Sequence, residues 1–543
     1  GKKGVHGAVI LAAGFGETGE EGKALEDKMV SVAKENGIRL IGPNTSGMLN
    51  LKENLNLVGL RNAPKGNIAL LTQSGNMALT LITEASTKSK QGFSYYVGVG
   101  NEADIRFHEY LDFFRQDPAT GAILMYVEGM RDGRRFLQEA HKTTIDKPIV
   151  LFKSGRSSTG KKSAGSHTGA LAGISEVAKG AYKRAGIIVI ENPDELFPAA
   201  ETLAAHPIIV KDRIAILADG GGHATIAADI LTDLGVQMPG LGEKTQAKLK
   251  EILPFAASVP NPVDVAGGTD ADPTVFAKCA DIILKDERVG GLLIVGLFGG
   301  YGIRFAESLA MMENEAAHLM GKMVKQYNKP IVLHSLYTSA KPHSLDLLRN
   351  YGIPVYEPLN VACKAIGVLA EYGSYVKNRH ARASYTLNGE GKRKSAAEKI
   401  IRSAGREDRR FLLEHEAKQL LVLHGAPVSN DRLAQTEDEA VEIAREIDVD
   451  VALKIVSPDI MHKSDAGGVK IRLNGDKNIR KAFKEIVHNA KTYNPEADIR
   501  GVLVSPMAPG GIEVIIGTKT DDQFGPVIMY GLGGIMVEIL KDV

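Results

Sequence analysis

Two long stretches of this chain are versions of one another, and that repeat limits the fold more than any other feature. Ile68-Ala69-Leu70-Leu71-Thr72-Gln73-Ser74-Gly75 and Ile214-Ala215-Ile216-Leu217-Ala218-Asp219-Gly220-Gly221-Gly222 both read as a buried strand, a turn of small residues and the start of a helix. Each copy later holds two more matched pieces. Residues 121–127 resemble 290–296, and Lys147-Pro148-Ile149-Val150-Leu151 resembles Lys329-Pro330-Ile331-Val332-Leu333. Any parallel strand followed by a turn looks alike, but the reuse of Lys-Pro-Ile-Val-Leu counts against coincidence. Two flavodoxin-like domains, residues 61–205 and 206–372, account for the repeat.

Elsewhere, short β-branched runs alternate with helical patterns, so the fold class is α/β with largely parallel sheets. Residues 1–60 hold a strand (7–12), a Gly-rich turn, a helix (21–36) and a strand (39–41) ending in Gly42-Pro43-Asn44, which is half of a Rossmann-like unit. Residues 373–410 are crowded with Arg and Lys and read as a solvated linker, helical in part. Residues 411–543 form a fourth block, with helices at 414–424 and 437–447 and strands at 451–456, 501–504 and 513–517. The chain has 543 residues, enough for three to four domains. Lys plus Arg total 66 against 65 for Asp plus Glu, so nothing in the charge balance points to nucleic acid. The two cysteines, Cys279 and Cys363, lie in apolar helical runs and read as buried thiols of a reducing compartment. With no apolar run of membrane-spanning length and no signal peptide in view, a cytoplasmic protein is expected. Both ends look cut: a strand begins almost at once, and the last residues stop just past a Gly-rich turn.

The segment Lys161-Lys162-Ser163-Ala164-Gly165-Ser166-His167-Thr168-Gly169-Ala170-Leu171 carries the first candidate chemistry. A strand (149–153) feeds a Gly/Ser/Lys loop, and His167 stands among small residues that leave room for a phosphoryl group. A neutral imidazole accepts a phosphoryl group at one nitrogen while a hydrogen bond holds the other. The competing reading is a loop histidine with no duty. Glu128 follows the strand 123–127, at the sheet edge where such domains place their sites, and a carboxylate there suits the imidazolium formed during transfer. Its competing role is that of a neighbour to a helix N-terminus. The corresponding place in the second copy is apolar, Leu297 and Phe298. The turns at Ser74-Gly75 and Gly220-Gly221-Gly222 each open a helix, whose free N–H groups and dipole favour an anion by ~0.3–1 kcal/mol. Two such turns facing each other would clamp one phosphoryl group, although tight turns before helices are common. In the fourth block, Lys454 sits inside an apolar strand and needs an anion, for which a nucleotide phosphate would serve. His462 in the following Gly-rich loop is a second candidate carrier. Against these stand a snorkelling lysine and a surface histidine.

Together these residues resemble the nucleoside-diphosphate-forming acyl-CoA synthetases, relatives of succinyl-CoA synthetase that include ADP-forming acetate–CoA ligase. The resemblance covers essentially the whole chain. Residues 165–171 look like the family's phosphohistidine segment, and Val127-Glu128-Gly129 like the segment whose glutamate contacts that histidine. Ser74-Gly75 and Gly220–Gly222 look like the starts of the two helices that hold the phosphohistidine, and Asn261-Pro262-Val263-Asp264 matches a segment after the second. Gly42-Pro43-Asn44 matches the end of the CoA-binding domain. Lys454 and His462-Lys463-Ser464-Asp465-Ala466-Gly467-Gly468 resemble the ATP-grasp lysine and the second phosphorylated histidine of the acetate-type branch. Residues 511–517 match the ATP-grasp strand whose glutamate, here Glu513, contacts the nucleotide.

The resemblance therefore implies a partial Rossmann-like CoA-binding domain (1–60), two flavodoxin-like domains, a linker and a partial ATP-grasp domain (411–543). It implies CoA or acyl-CoA, ADP or ATP, phosphate and Mg²⁺ as substrates and cofactors, with the metal's carboxylates beyond Val543 and no metal ligand assigned here. A homo-oligomer acting on small molecules is expected, with no nucleic-acid or membrane partner. The implied reaction passes the acyl group of a thioester to phosphate, the phosphoryl group to His167, then by way of His462 to ADP. A non-catalytic CoA-sensing module, or part of a protein lysine acetyltransferase, is the competing function. A succinate-specific enzyme is a third reading, weakened by the His462 segment.

Overall fold

The computed structural model describes residues 1–157, 159, 175–209, 213–378 and 391–533. They fall into two compact units, the first comprising Gly1–Arg382 and Gly517–Met529, the second Ala383–Ile516 and Tyr530–Val543.

In the first unit, β1 (Gly7–Val9) and β2 (Arg39–Ile41) pair in parallel around the helix Glu20–Glu35. A seven-stranded sheet follows, built from β3 (Met48–Asn50), β4 (Leu55–Asn56), β5 (Lys65–Thr72), β6 (Phe93–Gly98), β7 (Ala122–Val127), β8 (Ile149–Lys153) and β9 (Ile188–Ile190). Its order is β4-β3-β6-β5-β7-β8-β9. The strands β3 and β4 fall within the sequence block 1–60 yet hydrogen-bond into this sheet, β3 running antiparallel to β6. The repeat reappears as a five-stranded parallel sheet of β10 (Ile214–Ala218), β11 (Val263–Asp264), β12 (Gly291–Val295), β13 (Ile331–His334) and β14 (Val355–Tyr356), in the order β11-β10-β12-β13-β14. Leaving β3 and β4 aside, both sheets follow the same 2-1-3-4-5 winding, the flavodoxin-like order.

Side chains alternate across each strand, which is how one strand feeds two cores. In β5, Ile68 and Leu70 point to one core and Ala69 and Leu71 to another. The helices Gly75–Lys88 and Leu196–Ala205 cover the first face, and Phe107–Gln116, Gly133–Asp146 and Ser175–Arg184 cover the second. In β10, Ile214 and Ile216 turn to the same core as Ile68 and Leu70, so the two sheets share one apolar interior. The helix Leu359–Asn378 runs through it, apolar on most sides as a core helix must be. Both cysteines are buried and unpaired.

The basic stretch read as a linker is helical at both ends: Leu359–Asn378 runs past residue 372, and Gly391–Arg406 is a helix of its own. The second unit contains an antiparallel sheet, β15-β18-β16-β17, made from β15 (Arg432–Ala434), β16 (Val451–Val456), β17 (Val469–Leu473) and β18 (Gly501–Pro506). The helices Glu437–Ile447 and Asp476–Tyr493 pack on one face through Val441, Ala444, Ile479 and Ile486. β19 (Val514–Asp521) and β20 (Gly525–Leu532) pair with each other.

Gly373 sits where the core helix touches backbone: a Cβ there would lie 2.1 Å from the Ile209 carbonyl oxygen. Gly373→Ala is expected to cost about 1–3 kcal/mol and lower the unfolding midpoint. Gly180→Ala, on the helix Ser175–Arg184 with open space around its Cβ position, should hold or raise it. A thermal scan of the two variants checks both.

Candidate functional site

The winding itself makes the first site. Helices after β5 and β7 leave on opposite faces of the sheet, so a crevice opens between the carboxyl ends of these adjacent strands. Ser74 stands on one side as N-cap of the helix Gly75–Lys88, its hydroxyl accepting from Met77 N–H at 3.4 Å. Glu128 stands on the other side, half-buried, one residue past β7. Gln73 ties the sides together. Its backbone N–H donates to the Tyr126 carbonyl at 3.2 Å, and its side-chain oxygen accepts from Glu128 N–H at 2.7 Å and Gly129 N–H at 3.0 Å. Lys153, at the end of β8, donates to the Glu128 carbonyl at 2.6 Å. The edge thus offers a carboxylate, an ammonium and a capped helix start. His167 and the rest of 161–171 lie outside the described residues.

The turn Gly42-Pro43-Asn44 reaches the same edge. Asn101 N–H donates to the Pro43 carbonyl at 3.0 Å, and the Asn44 amide donates to Asn101 Oδ1 at 3.3 Å. Gly42 takes φ +93°, and a Cβ there would come within 2.8 Å of the Ile10 carbonyl, so the turn needs a glycine. Behind it, buried Glu26 receives Arg131 at 2.8 Å and the Asn101 amide at 3.0 Å. Residues 517–529 also meet this region: Phe524 packs edge-on against Tyr182 at 5.7 Å, and the Gln523 amide donates to the Met130 carbonyl at 2.9 Å.

Gly220, Gly221 and Gly222 occupy the corresponding edge of the second sheet, where Gly220 caps the helix Gly221–Asp233 without a side chain. There Asp219 does what Gln73 does in the first copy, accepting from Leu297 N–H. Burial raises the Asp219 carboxyl to about 6. Asn261, within the matched Asn-Pro-Val-Asp segment, bridges Ile216 N–H and the Ile214 carbonyl, each at 2.9 Å, and so fixes the start of that sheet.

In the second unit, Leu453 and Ile455 face the helices, which turns Lys454 to the other face of β16. Its ammonium contacts Glu414 at 2.7 Å, and Lys463 and Lys418 reach the same carboxylate at 3.2 and 3.3 Å. The anion that the strand lysine demands is therefore supplied by Glu414, on the helix Glu414–Leu423. Sequence reading missed this residue because forty positions separate the partners. Gly468 closes the intervening loop, its N–H donating to the Lys463 carbonyl at 2.7 Å and its carbonyl accepting from Ile455 N–H at 2.8 Å. His462 in that loop is exposed. Glu513 is exposed one residue before β19, its carbonyl accepting from Gly533 N–H at 2.7 Å. Among the described residues no group of three or more His, Cys, Asp or Glu is arranged to hold a metal ion.

Burial pushes the Glu414 carboxyl up, but Lys454 and Lys463 outweigh it and hold the group down at about 2, below its ordinary 4.5. A depressed value means the ionised form stabilises the folded chain above pH 4.5, and the contribution fades as pH falls toward 2. Because Glu414 is only partly shielded, Glu414→Gln should cost about 1–2 kcal/mol at pH 7. The gap from the unsubstituted chain should shrink between pH 5 and pH 3. Urea titrations of the full chain across that range check it.

A sequence model of the succinyl-CoA ligase-like flavodoxin domain matches residues 65–203, and one of the ATP-grasp domain matches residues 403–543. The chain is 36% identical over 549 residues to an ADP-forming 4-hydroxybutyrate–CoA ligase of Nitrosopumilus maritimus, covering all of this chain and 76% of that one. It is 37% identical over 548 residues to ADP-forming acetate–CoA ligase I of Archaeoglobus fulgidus, with the same coverage. Among solved structures it is similar to acetyl-coenzyme A synthetase 1 of Candidatus Korarchaeum cryptofilum in complex with phosphate and ADP, with a TM-score of 0.62, 28% identity, and coverage of 70% of this chain and 81% of that one. With full-length identity to curated ligases and both domain types in place, this chain belongs to the ADP-forming acyl-CoA ligase family.

Proposed function

We propose that this chain interconverts an acyl-CoA, ADP and phosphate with a carboxylate, CoA and ATP, carrying the phosphoryl group on His167. The observation that carries the reading is the crevice at the carboxyl end of β5 and β7. There Glu128 is held by its backbone beside the helix start at Ser74-Gly75, in the domain that matches the succinyl-CoA ligase-like family. A phosphate oxygen attacks the thioester carbon, the C–S bond breaks, and CoA leaves as its thiol. The imidazole of His167 attacks phosphorus in the acyl phosphate and releases the carboxylate. Glu128 serves as partner of the imidazolium, and the N–H groups at Ser74 and Gly75 take the phosphoryl oxygens. Gly220–Gly222 supply the matching helix start of the second copy, and residues 42–44 contribute to the CoA side.

For the second half-reaction, His462 receives the phosphoryl group and passes it to ADP, with Glu513 on the nucleotide. Glu414 holds Lys454 in place until a nucleotide phosphate takes over as its anion. Named relatives act on acetate and 4-hydroxybutyrate, which supports a short monocarboxylic acid as substrate. The persistence of Glu128, Lys454 and both histidines together speaks for phosphoryl transfer over a CoA-sensing module.

Incubation of the intact chain with labelled phosphate and acetyl-CoA or 4-hydroxybutyryl-CoA, the direction in which His167 is phosphorylated before His462, should give acid-labile, base-stable label that His167→Ala abolishes. Glu128→Gln should slow its formation by about 10²-fold, the scale of a lost charge partner. Label that persists unchanged in His167→Ala removes the proposal.

A further inference from the structure

The side chain of Gln73 has no role in the chemistry above, yet it makes the contacts that fix Glu128. Its oxygen receives two N–H groups, from Glu128 and Gly129. That sets the amide's orientation, because a flipped amide would press its own N–H₂ against those two donors. The remaining N–H₂ is then directed at the Glu102 carboxylate, 3.4 Å away. Glu102 is 1% exposed and accepts from Phe107 N–H through its other oxygen at 3.1 Å, and burial raises its carboxyl to about 7.

The second copy provides an internal comparison. Strand pairing puts Thr72 opposite Tyr126 and Ala218 opposite Val295. Gln73 therefore corresponds to Asp219, and Glu128 to Leu297. Asp219 makes the equivalent bond, to Leu297 N–H, with a carboxylate instead of an amide. Thr72 also stands beside Gly98 and Ala218 beside Asp264. Counting four residues on from those strand ends, Glu102 corresponds to Gly268, which has no side chain to need a donor. The amide and its carboxylate partner thus occur together in the copy that bears Glu128 and are replaced together in the copy that bears Leu297. A carboxylate at position 73 would crowd a third acidic group against Glu128 and Glu102, where the phosphoryl group's own charge has to be received. An amide keeps the acceptor oxygen and adds a donor.

We propose that Gln73 is a positioning residue for phosphoryl transfer: it holds Glu128 by its backbone with one end of its amide, and Glu102 locks the other end. The inference rests on the reading that His167 is the phosphoryl carrier and Glu128 its partner. Gln73 and Glu102 act through Glu128 and touch no reacting atom.

The test measures, in the full chain, the rate and stoichiometry of label taken up from labelled phosphate and the same acyl-CoA, together with kcat and the KM for ADP. The unsubstituted chain and His167→Ala come first. If label does not depend on His167, the underlying reading fails, whatever Gln73 does. Given that dependence, Gln73→Met should slow labelling and kcat by about 30- to 100-fold, the effect of an ångström-scale misplacement. Label per chain and the KM for ADP should stay within about twofold, since only transition-state placement is lost. Misfolding would do the reverse, cutting stoichiometry and leaving the rate of the active fraction alone. Gln73→Glu keeps the oxygen but sets two carboxylates together, and should slow labelling at least about tenfold, the kinetic equivalent of roughly 1.4 kcal/mol. Adding Glu102→Gln to it exchanges donor and acceptor and should recover most of that loss. Gln73→Met with a labelling rate within about twofold of the unsubstituted chain, or a double variant no faster than Gln73→Glu, overturns the proposal.

Discussion

The first candidate site depends on a divergence: the helices that follow two neighbouring strands, β5 and β7, leave the sheet in opposite directions. Parallel strands expose unpaired N–H groups and helix starts at their carboxyl ends, and only where successive helices part is there room between them. Ser74, Glu128 and Gln73 are therefore neighbours because of winding order, not because of any local motif. The same geometry exists in the second sheet, where Asp219 and Leu297 hold the equivalent places. One scaffold thus appears twice, furnished differently.

How far the sequence could be read follows from how local each signal is. The two parallel sheets were legible because the repeat gives matching strands in matching order, and strand periodicity is local. Glu128 was legible for the same reason: it is the first polar residue after a buried strand. Glu102 emits the same kind of signal, a carboxylate just beyond β6, but its positive φ of 52° and full burial belong to a turn that sequence does not specify. Glu414 was illegible, because its contact with Lys454 depends on which face of β16 the lysine takes and on a helix from a different stretch of chain. The strands Met48–Asn50 and Leu55–Asn56 went unnoticed as members of the seven-stranded sheet, being three- and two-residue strands with too few positions to show alternation.

Two carboxylates are each held by several partners: Glu26 by Arg131 and Asn101, and Glu414 by Lys454, Lys463 and Lys418. Such groups cost desolvation and return it only when their hydrogen bonds are complete. The Glu414 carboxylate orients the Lys454 ammonium on the face of β16 turned away from the helices.

The apolar interior common to both sheets has a consequence for how the chain can be divided. Ile68 and Leu70 of one copy and Ile214 and Ile216 of the other line a single core that the helix Leu359–Asn378 completes. Severing the chain between the copies would strip each of half its interior. The two sheets therefore bury one another's apolar faces, and parting them would expose that shared core on both.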